Sequence, residues 1–379
     1  MKKIDSCLII KNEEKNIKAL IEQLLIFSNE IHITDTGSTD KTIKIINGII
    51  KKHKNVFLHN FEWVKDFSKA RNYSFNCYEC NADYILWCDG DDKLNDQLIK
   101  RLQEFKEDDN CNEDVYSIKY HYFIKLNYWH WRNFLVKASK KYQWINPIHE
   151  YFNIGAEDSI NYTYFDDGSG IIHLLDDETI QDEHRMRNLD IFMNMEKNNY
   201  EFTPRNRYYF GRELCSLGYK EYGEHQLKAC IDSPLVGDNI LFKVNACILL
   251  FLFEIPGAID YFFKMVNDGF VRKDMLHVVG TYYLNNGKPY IARMWFLACL
   301  NYDQPTDDFS YNYDMNCHLD SLGNLGMIEN NYLHRPYEAL KYFNELLTLD
   351  PNNELAKNNI NLITNELKKF EANIQNQQQ

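Results

Sequence analysis

No stretch of this chain is apolar for long enough to cross a bilayer. The longest, Ala246 to Phe253, falls far short of the roughly 18 residues that a span requires. No apolar segment of adequate length follows Met1-Lys2-Lys3, so no secretory signal is expected. Basic charge is scarce: 42 Lys and Arg stand against 55 Asp and Glu, a net charge of −13. That balance argues against a nucleic-acid polymer as partner, because phosphate backbones demand clustered cations. A zinc-ribbon spacing is also lacking, since Cys77-x-x-Cys80 has no second pair to join it. The ten cysteines are scattered, several inside apolar runs where Cys acts as a small hydrophobe. Reduced thiols, no integral membrane segment and a cytoplasmic location are the expectation.

What is present is globular. With 45% hydrophobic and 26% charged residues over 379 positions, the chain can build two domains with proper cores. Strand and helix patterns alternate at first. Ile4 to Ile10, Glu30 to Thr34, Asn55 to His59 and Tyr84 to Cys88 read as strands. Helical stretches from Asn12, from about Ser38 or Thr39 as cap, and from Ser68 connect them. This order predicts a parallel, doubly wound sheet. After a helix over Asp96 to Lys106, Val115 to Ile124 and Tyr128 to Lys137 alternate and predict antiparallel strands added to it. From about Glu178 the pattern is helical. Arg207 to Ala229 and Tyr337 to Leu362 look like one helix-pair unit repeated, in the tetratricopeptide manner. The expected division is 1–178, 179–370 and a disordered tail over 371–379.

The chemistry concentrates where strands end. Asp89-Gly90-Asp91-Asp92 follows an apolar run, and crowded carboxylates there suit a hard divalent cation such as Mn²⁺ or Mg²⁺. Taken alone, the same residues read as a solvated turn. Asp35, ending the second strand before Gly37, can accept a nucleobase N–H, or can simply stand at a strand-to-helix junction. Glu13, in Lys11-Asn12-Glu13-Glu14, holds the equivalent edge of the first strand, or belongs to an acidic first helical turn. Arg71, in Ala70-Arg71-Asn72, offers a fork-shaped cation, or is a surface residue.

Taken in order, these motifs resemble family 2 glycosyltransferases with the GT-A fold. Ile33-Thr34-Asp35-Thr36-Gly37-Ser38-Thr39-Asp40 and Leu86-Trp87-Cys88-Asp89-Gly90-Asp91 carry the likeness, over about residues 4 to 175. The branch resembled also bears a tetratricopeptide-like region after the catalytic domain. The resemblance thus implies an α/β class, a GT-A nucleotide-sugar-binding domain (a mostly parallel doubly wound sheet) followed by an all-α helical-repeat domain. Its activity would be metal-dependent inverting transfer of a hexosyl or N-acetylhexosaminyl group from a UDP-sugar to a hydroxyl. By the same resemblance, Glu13 and Asp35 hold the nucleoside and Arg71 contacts base or diphosphate. Asp89 contacts ribose or metal, Asp91 is the principal ligand of Mn²⁺ or Mg²⁺, and His173 completes its shell, with His149 in reserve. Glu150, in Pro147-Ile148-His149-Glu150, is the implied base. One departure is Thr36, where many relatives carry a second Asp; with Asp35 kept, base recognition is expected to survive.

Tyr120, Tyr122, Tyr128, Trp129, Trp131 and Trp144 form an aromatic wall for a sugar, or belong to the core. The helical half recruits an acceptor glycan, peptide or protein, or else caps the first domain or forms a homodimer. Three rivals stand beside the transferase reading. A nucleotidyltransferase would need a Gly-rich loop with Lys that Lys11 to Glu14 does not supply. A glycoside hydrolase would work with water and without metal. A catalytically silent scaffold would have no use for Asp35, Asp89 and Asp91.

Overall fold

The structure, a computed structural model, describes residues 1–123, 128–153, 160–174, 178–234, 239–303 and 316–377. Contacts divide it into two compact units, Met1–Tyr200 and Glu201–Gln379.

The first unit is built on β1 (Ile4–Ile10), a strand whose seven residues are all buried. A strand apolar on both faces belongs at the middle of a parallel sheet covered on both sides. It pairs in parallel with β2 (Ile31–Asp35) on one side and β4 (Tyr84–Asp89) on the other, and β3 (Val56–Asn60) extends the sheet beyond β2. Helices α1 (Ile17–Leu24), α2 (Thr42–Ile50) and α3 (Phe67–Asn76) make the crossovers. Past β4 the sheet turns mixed. β7 (Tyr128–Lys137) runs antiparallel to β4 and to β6 (Val115–Phe123). β11 (Gly170–His173) lies parallel to β6 and antiparallel to β5 (Asp92–Leu94). The order is β3-β2-β1-β4-β7-β6-β11-β5, with β10 (Tyr162–Tyr164) beside β6. A two-stranded ribbon, β8 (Gln143–Ile145) with β9 (Tyr151–Asn153), stands apart, and α4 (Asp96–Glu107) follows β5. The order of connection reverses between β1 and β4, and in open sheets such a switch point opens a crevice at the strands' carboxyl ends.

Two local expectations fail for the same reason. Helix α1 starts at Ile17 rather than Asn12, and neither Ser38 nor Thr39 caps α2. Those residues are committed to each other instead. Asn12, at φ 59°, donates its N–H to Ser38 Oγ and accepts from the Thr39 N–H at 2.7 Å. The Glu13 N–H meets Thr42 Oγ1 at 2.7 Å, and Glu14 Oε2 accepts from the Lys41 N–H. Contacts between loops remote in sequence override the helical pattern that local residues suggest.

Helix α5 (Glu178–Lys197) clusters with the first unit, beyond the boundary expected near residue 178. Its buried Ile191, Phe192 and Met195, and an ion pair from Lys65 to Asp190 at 2.8 Å, tie it there.

The second unit is helical. It comprises α6 (Pro204–Ser216), α7 (Lys220–Asp232), α8 (Asn239–Leu252), α9 (Ala258–Asn267), α10 (Lys273–Asn285) and α11 (Pro289–Asn301), then α12 (Asn316–Asn331), α13 (Pro336–Leu349) and α14 (Glu354–Gln377). Most successive helices pack as neighbours, as in helical repeats, while α10 packs on α8. The last helix continues to Gln377, past residue 371, where the tail was expected to begin. Glycine sets the closest crossings. A Cβ on Gly211 would stand 2.7 Å from Leu227 Cγ, and one on Gly326 would stand 2.6 Å from Phe343 Cζ. Gly326→Ala is therefore expected to destabilise this unit by about 1–3 kcal/mol, read from the urea midpoint. An unchanged midpoint would show that the Phe343 ring yields freely.

A second stability prediction concerns pH. His32 on β2 is buried, stacked on Tyr78 at 3.4 Å between ring centres, with Nε2 3.0 Å from Glu30 Oε2. Burial, reinforced by His59, lowers its pKa to about 4 against the opposing pull of Glu30. The unfolded chain takes up that proton near pH 6.5, whereas the folded chain refuses it until about pH 4. Stability contributed here is complete above pH 6.5 and is lost as pH falls toward 4. Between pH 7 and 5 the loss should be on the order of 1–2 kcal/mol in urea unfolding. His32→Phe should flatten that slope, and an equal slope in the variant would refute the assignment.

Candidate active site

The carboxyl ends of β1, β2 and β4 lie level, because Ile10 pairs with Asp35 and Ile9 with Asp89. Asp35 is buried there. Its carboxylate accepts the backbone N–H groups of Gly37 and Ser38, each at 3.1 Å, so it shapes its own turn. Thr36 bonds to the Ile10 carbonyl through both its N–H and its hydroxyl. Glu13 reaches over from the β1 loop to the end of β4. A Cβ on Gly90 would stand 2.5 Å from Glu13 Cγ, so glycine is what lets the two approach.

Beyond β4, strand pairing assembles an acidic cluster. β5 and β11 set Asp92 opposite His173, and the Leu174 N–H bonds to the Asp91 carbonyl. His173 Nδ1 lies 3.5 Å from Asp91 Oδ2, 3.9 Å from Asp92 Oδ1 and 3.1 Å from the Tyr120 hydroxyl. Asp92 is fully buried, accepting from the Tyr120 hydroxyl and from the Asp89 N–H, each at 2.8 Å. Burial first, then repulsion from Asp89 and Asp91, pushes its carboxyl well above the usual range. Carboxylate and imidazole donors crowded in this way suit Mn²⁺ or Mg²⁺, which would relieve that repulsion.

Among the described residues, two sets of His, Cys, Asp or Glu side chains bring ligand atoms within 4.8 Å of one another, and Asp91, Asp92 and His173 are one. The other, Asp5, Glu30 and His32, starts from the opposite end of β1. Asp89 and His149 belong to neither. His149 instead has its ring 6.2 Å from that of Phe192.

Asp89 is held by arginines. Arg71 Nη2 donates to its Oδ1 at 2.7 Å, and Arg132 Nη1 stands 3.7 Å from its Oδ2. Burial works against ionisation, yet Arg71 and Arg132 outweigh it and keep the carboxyl below its ordinary value. Arg71 also donates from Nε to Glu150 Oε1 at 2.6 Å. Its guanidinium is 5% exposed and lies between the rings of Trp87 and Trp144, 4.5 and 5.0 Å from their centres. A cation expected to face the base or diphosphate is thus engaged by two carboxylates.

Glu150 is buried at the end of a loop that contains Asn146 at φ 82° and His149 at φ 52°. Left-handed backbone at histidine is uncommon and persists only where the surroundings impose it. Here Phe67, at the start of α3, donates its N–H to the Pro147 carbonyl. Among the described residues Oε2 of Glu150 has no hydrogen-bond partner, while Oε1 is taken by Arg71.

The aromatic wall divides. Tyr120 and Trp144 are core residues, at 1% and 3% exposure. Trp129 and Trp131 are half-buried under the Lys119 ammonium, and the side chains of Tyr122 and Tyr128 lie outside the described residues. Arg132 escaped the sequence reading, a cation inside the aromatic stretch of β7; Asp92 was read only as part of the acidic run and Tyr120 only as part of the aromatic wall.

Residues 6–171, within the N-terminal unit, match the model of the family described as Glycosyl transferase family 2. An uncharacterized glycosyltransferase of Haemophilus influenzae is 42% identical over 74 residues, 19% of this chain and 29% of that protein. An uncharacterized protein of Methanocaldococcus jannaschii is 32% identical over 119 residues, 31% of this chain and 52% of its own. The chain thus spans about half or less of the length of these relatives. Among solved structures, S. aureus TarS in complex with UDP aligns over 88% of this chain and 91% of its own, at 12% identity and a TM-score of 0.38. YrrB, a TPR protein with an unusual peptide-binding site, aligns over 47% of this chain and 84% of its own, at 17% identity and a TM-score of 0.32. No helix among the described residues is long and apolar enough to cross a membrane.

Proposed function

We propose that this protein is a metal-dependent, inverting glycosyltransferase that moves a hexosyl or N-acetylhexosaminyl group from a UDP-sugar to a hydroxyl on a glycan, peptide or protein. The observation that carries the reading is the convergence of Asp91, Asp92 and His173 beside the level ends of β1, β2 and β4, within the family-matched segment. Asp35 and Glu13 bind the nucleoside at that edge. Asp91 and His173 would hold Mn²⁺ or Mg²⁺, with Asp92 behind them, and the ion would draw charge from the leaving diphosphate. Glu150 takes the proton of the acceptor hydroxyl at Oε2, on the face opposite the leaving group, and the anomeric centre inverts. The helical unit supplies an extended surface for the acceptor.

The test is a thermal-shift panel of nucleoside diphosphates and UDP-sugars, with and without Mn²⁺. A native-state ligand at about 100 times its Kd adds roughly 2.7 kcal/mol, a shift of about 5–10 °C. The donor should stand out only when Mn²⁺ is present; a panel with no uridine-specific, Mn²⁺-dependent shift would end the reading. A linked prediction concerns the Glu13 contact. Gly90→Ala should push Glu13 aside and weaken UDP binding about tenfold, or about 1.4 kcal/mol by calorimetry. Unchanged affinity would remove Glu13 from the nucleotide site.

A further inference from the structure

We infer that Arg71 is a positioning residue for Glu150, rather than a contact to the donor's base or diphosphate. This rests on the reading of Glu150 as the base. One planar guanidinium reaches two carboxylates from different elements: Nε to Glu150 Oε1 at 2.6 Å and Nη2 to Asp89 Oδ1 at 2.7 Å. Asp89 ends β4, the strand that leads into the metal cluster, whereas Glu150 sits on a loop. Arg71 therefore ties the loop-borne carboxylate to the strand that carries the donor site.

The arginine itself is fixed on every side. Trp87 and Trp144 cover its faces. Asn72, the next residue on α3, clamps Trp144 by accepting its N–H and donating to its carbonyl, each at 2.8 Å. Trp87 is in turn held by its indole N–H on the Asn133 carbonyl at 2.6 Å. With Oε1 of Glu150 occupied, Oε2 is presented in one direction. A base oriented by a third group is the general logic of activated proton transfer. Burial opposes the charge on Arg71, but Asp89 and Glu150 more than compensate, so the guanidinium stays ionised throughout the working range. A lysine cannot replace it, since a single ammonium lacks two nitrogens fixed in one plane.

The experiment measures UDP affinity by calorimetry in Mn²⁺, and kcat as UDP release from UDP-glucose or UDP-N-acetylglucosamine, whichever the thermal panel selects. Arg71→Lys should lower kcat about 30-fold or more while UDP Kd stays within about threefold. Loss of UDP affinity with kcat kept would overturn the inference. In the Glu150→Gln background, Arg71→Lys should cost nothing further, because its effect passes through the lost carboxylate. Multiplicative losses would overturn it too. If Glu150→Gln alone retained full turnover, the base assignment would fall first, a distinguishable result. Should Arg71→Lys not fold, Glu150→Ala still decides. That substitution removes the acceptor of Arg71 Nε, so a donor-contacting Arg71 would tighten UDP binding about tenfold, while a positioning Arg71 leaves Kd unchanged.

Discussion

Asp91→Asn is expected to abolish Mn²⁺-stimulated UDP release, by about 10³-fold, several kcal/mol of charge stabilisation at the leaving group. The substitution keeps shape and removes one charge from a cluster whose Asp92 is already pushed toward neutrality by burial and then by its neighbours. Asp91 lies 3.5 Å from His173 Nδ1, whereas Asp92 accepts from Tyr120 and Asp89 from Arg71, and the proposed function gives the cation to Asp91. His173→Ala should raise the Mn²⁺ concentration for half-activation with a smaller fall at saturation. Asp89→Asn should behave differently, since its partners are Arg71 and Arg132: stability falls, because the buried Arg71 and the quarter-exposed Arg132 lose a shared counter-charge, while the Mn²⁺ requirement stays. The check is UDP release titrated with Mn²⁺ for all three variants. Undiminished stimulation in Asp91→Asn would remove the metal assignment.

Glu150→Gln should lower turnover by about 10²–10⁴-fold, the range a positioned general base contributes. The amide preserves volume in a buried site and can still accept from Arg71 Nε through its carbonyl, so the loop should hold its place. UDP and Mn²⁺ should bind as before. That split separates lost proton transfer from a damaged donor site, and proton NMR of the product should show an inverted anomeric configuration in the parent enzyme. Full transfer by the variant would send the search for the base elsewhere.

Much of this fold could be read from residues alone, and the successes share a cause. β1 and β4 are continuous apolar runs, and only a buried parallel strand explains them. Asp35 and Asp89 were placed on one edge because strand ends define that edge. The misses come from contacts distant in sequence. The start of α1 was set by Ser38, Thr39 and Thr42, not by its own periodicity. Arg71 was legible as a fork and Glu150 as a candidate base, but their pairing across 79 residues was not. Asp92 and His173 meet through a pairing of two short strands, β5 and β11, too brief to leave an alternating pattern. The boundary near residue 178 followed a change of pattern, whereas the chain's contacts follow burial.

Helix α5 and the residues just after it also bear on how this protein can be dissected. Phe192 meets the ring of His149, and the Tyr200 hydroxyl donates to Asn146, so both ends of the Glu150 loop lean on chain beyond residue 178. A protease cut or an engineered stop at that point would leave the sheet standing with the Glu150 loop unmoored. On the proposed function, such a fragment should still bind UDP yet lose turnover, whereas one running through Tyr200 keeps these supports of the loop.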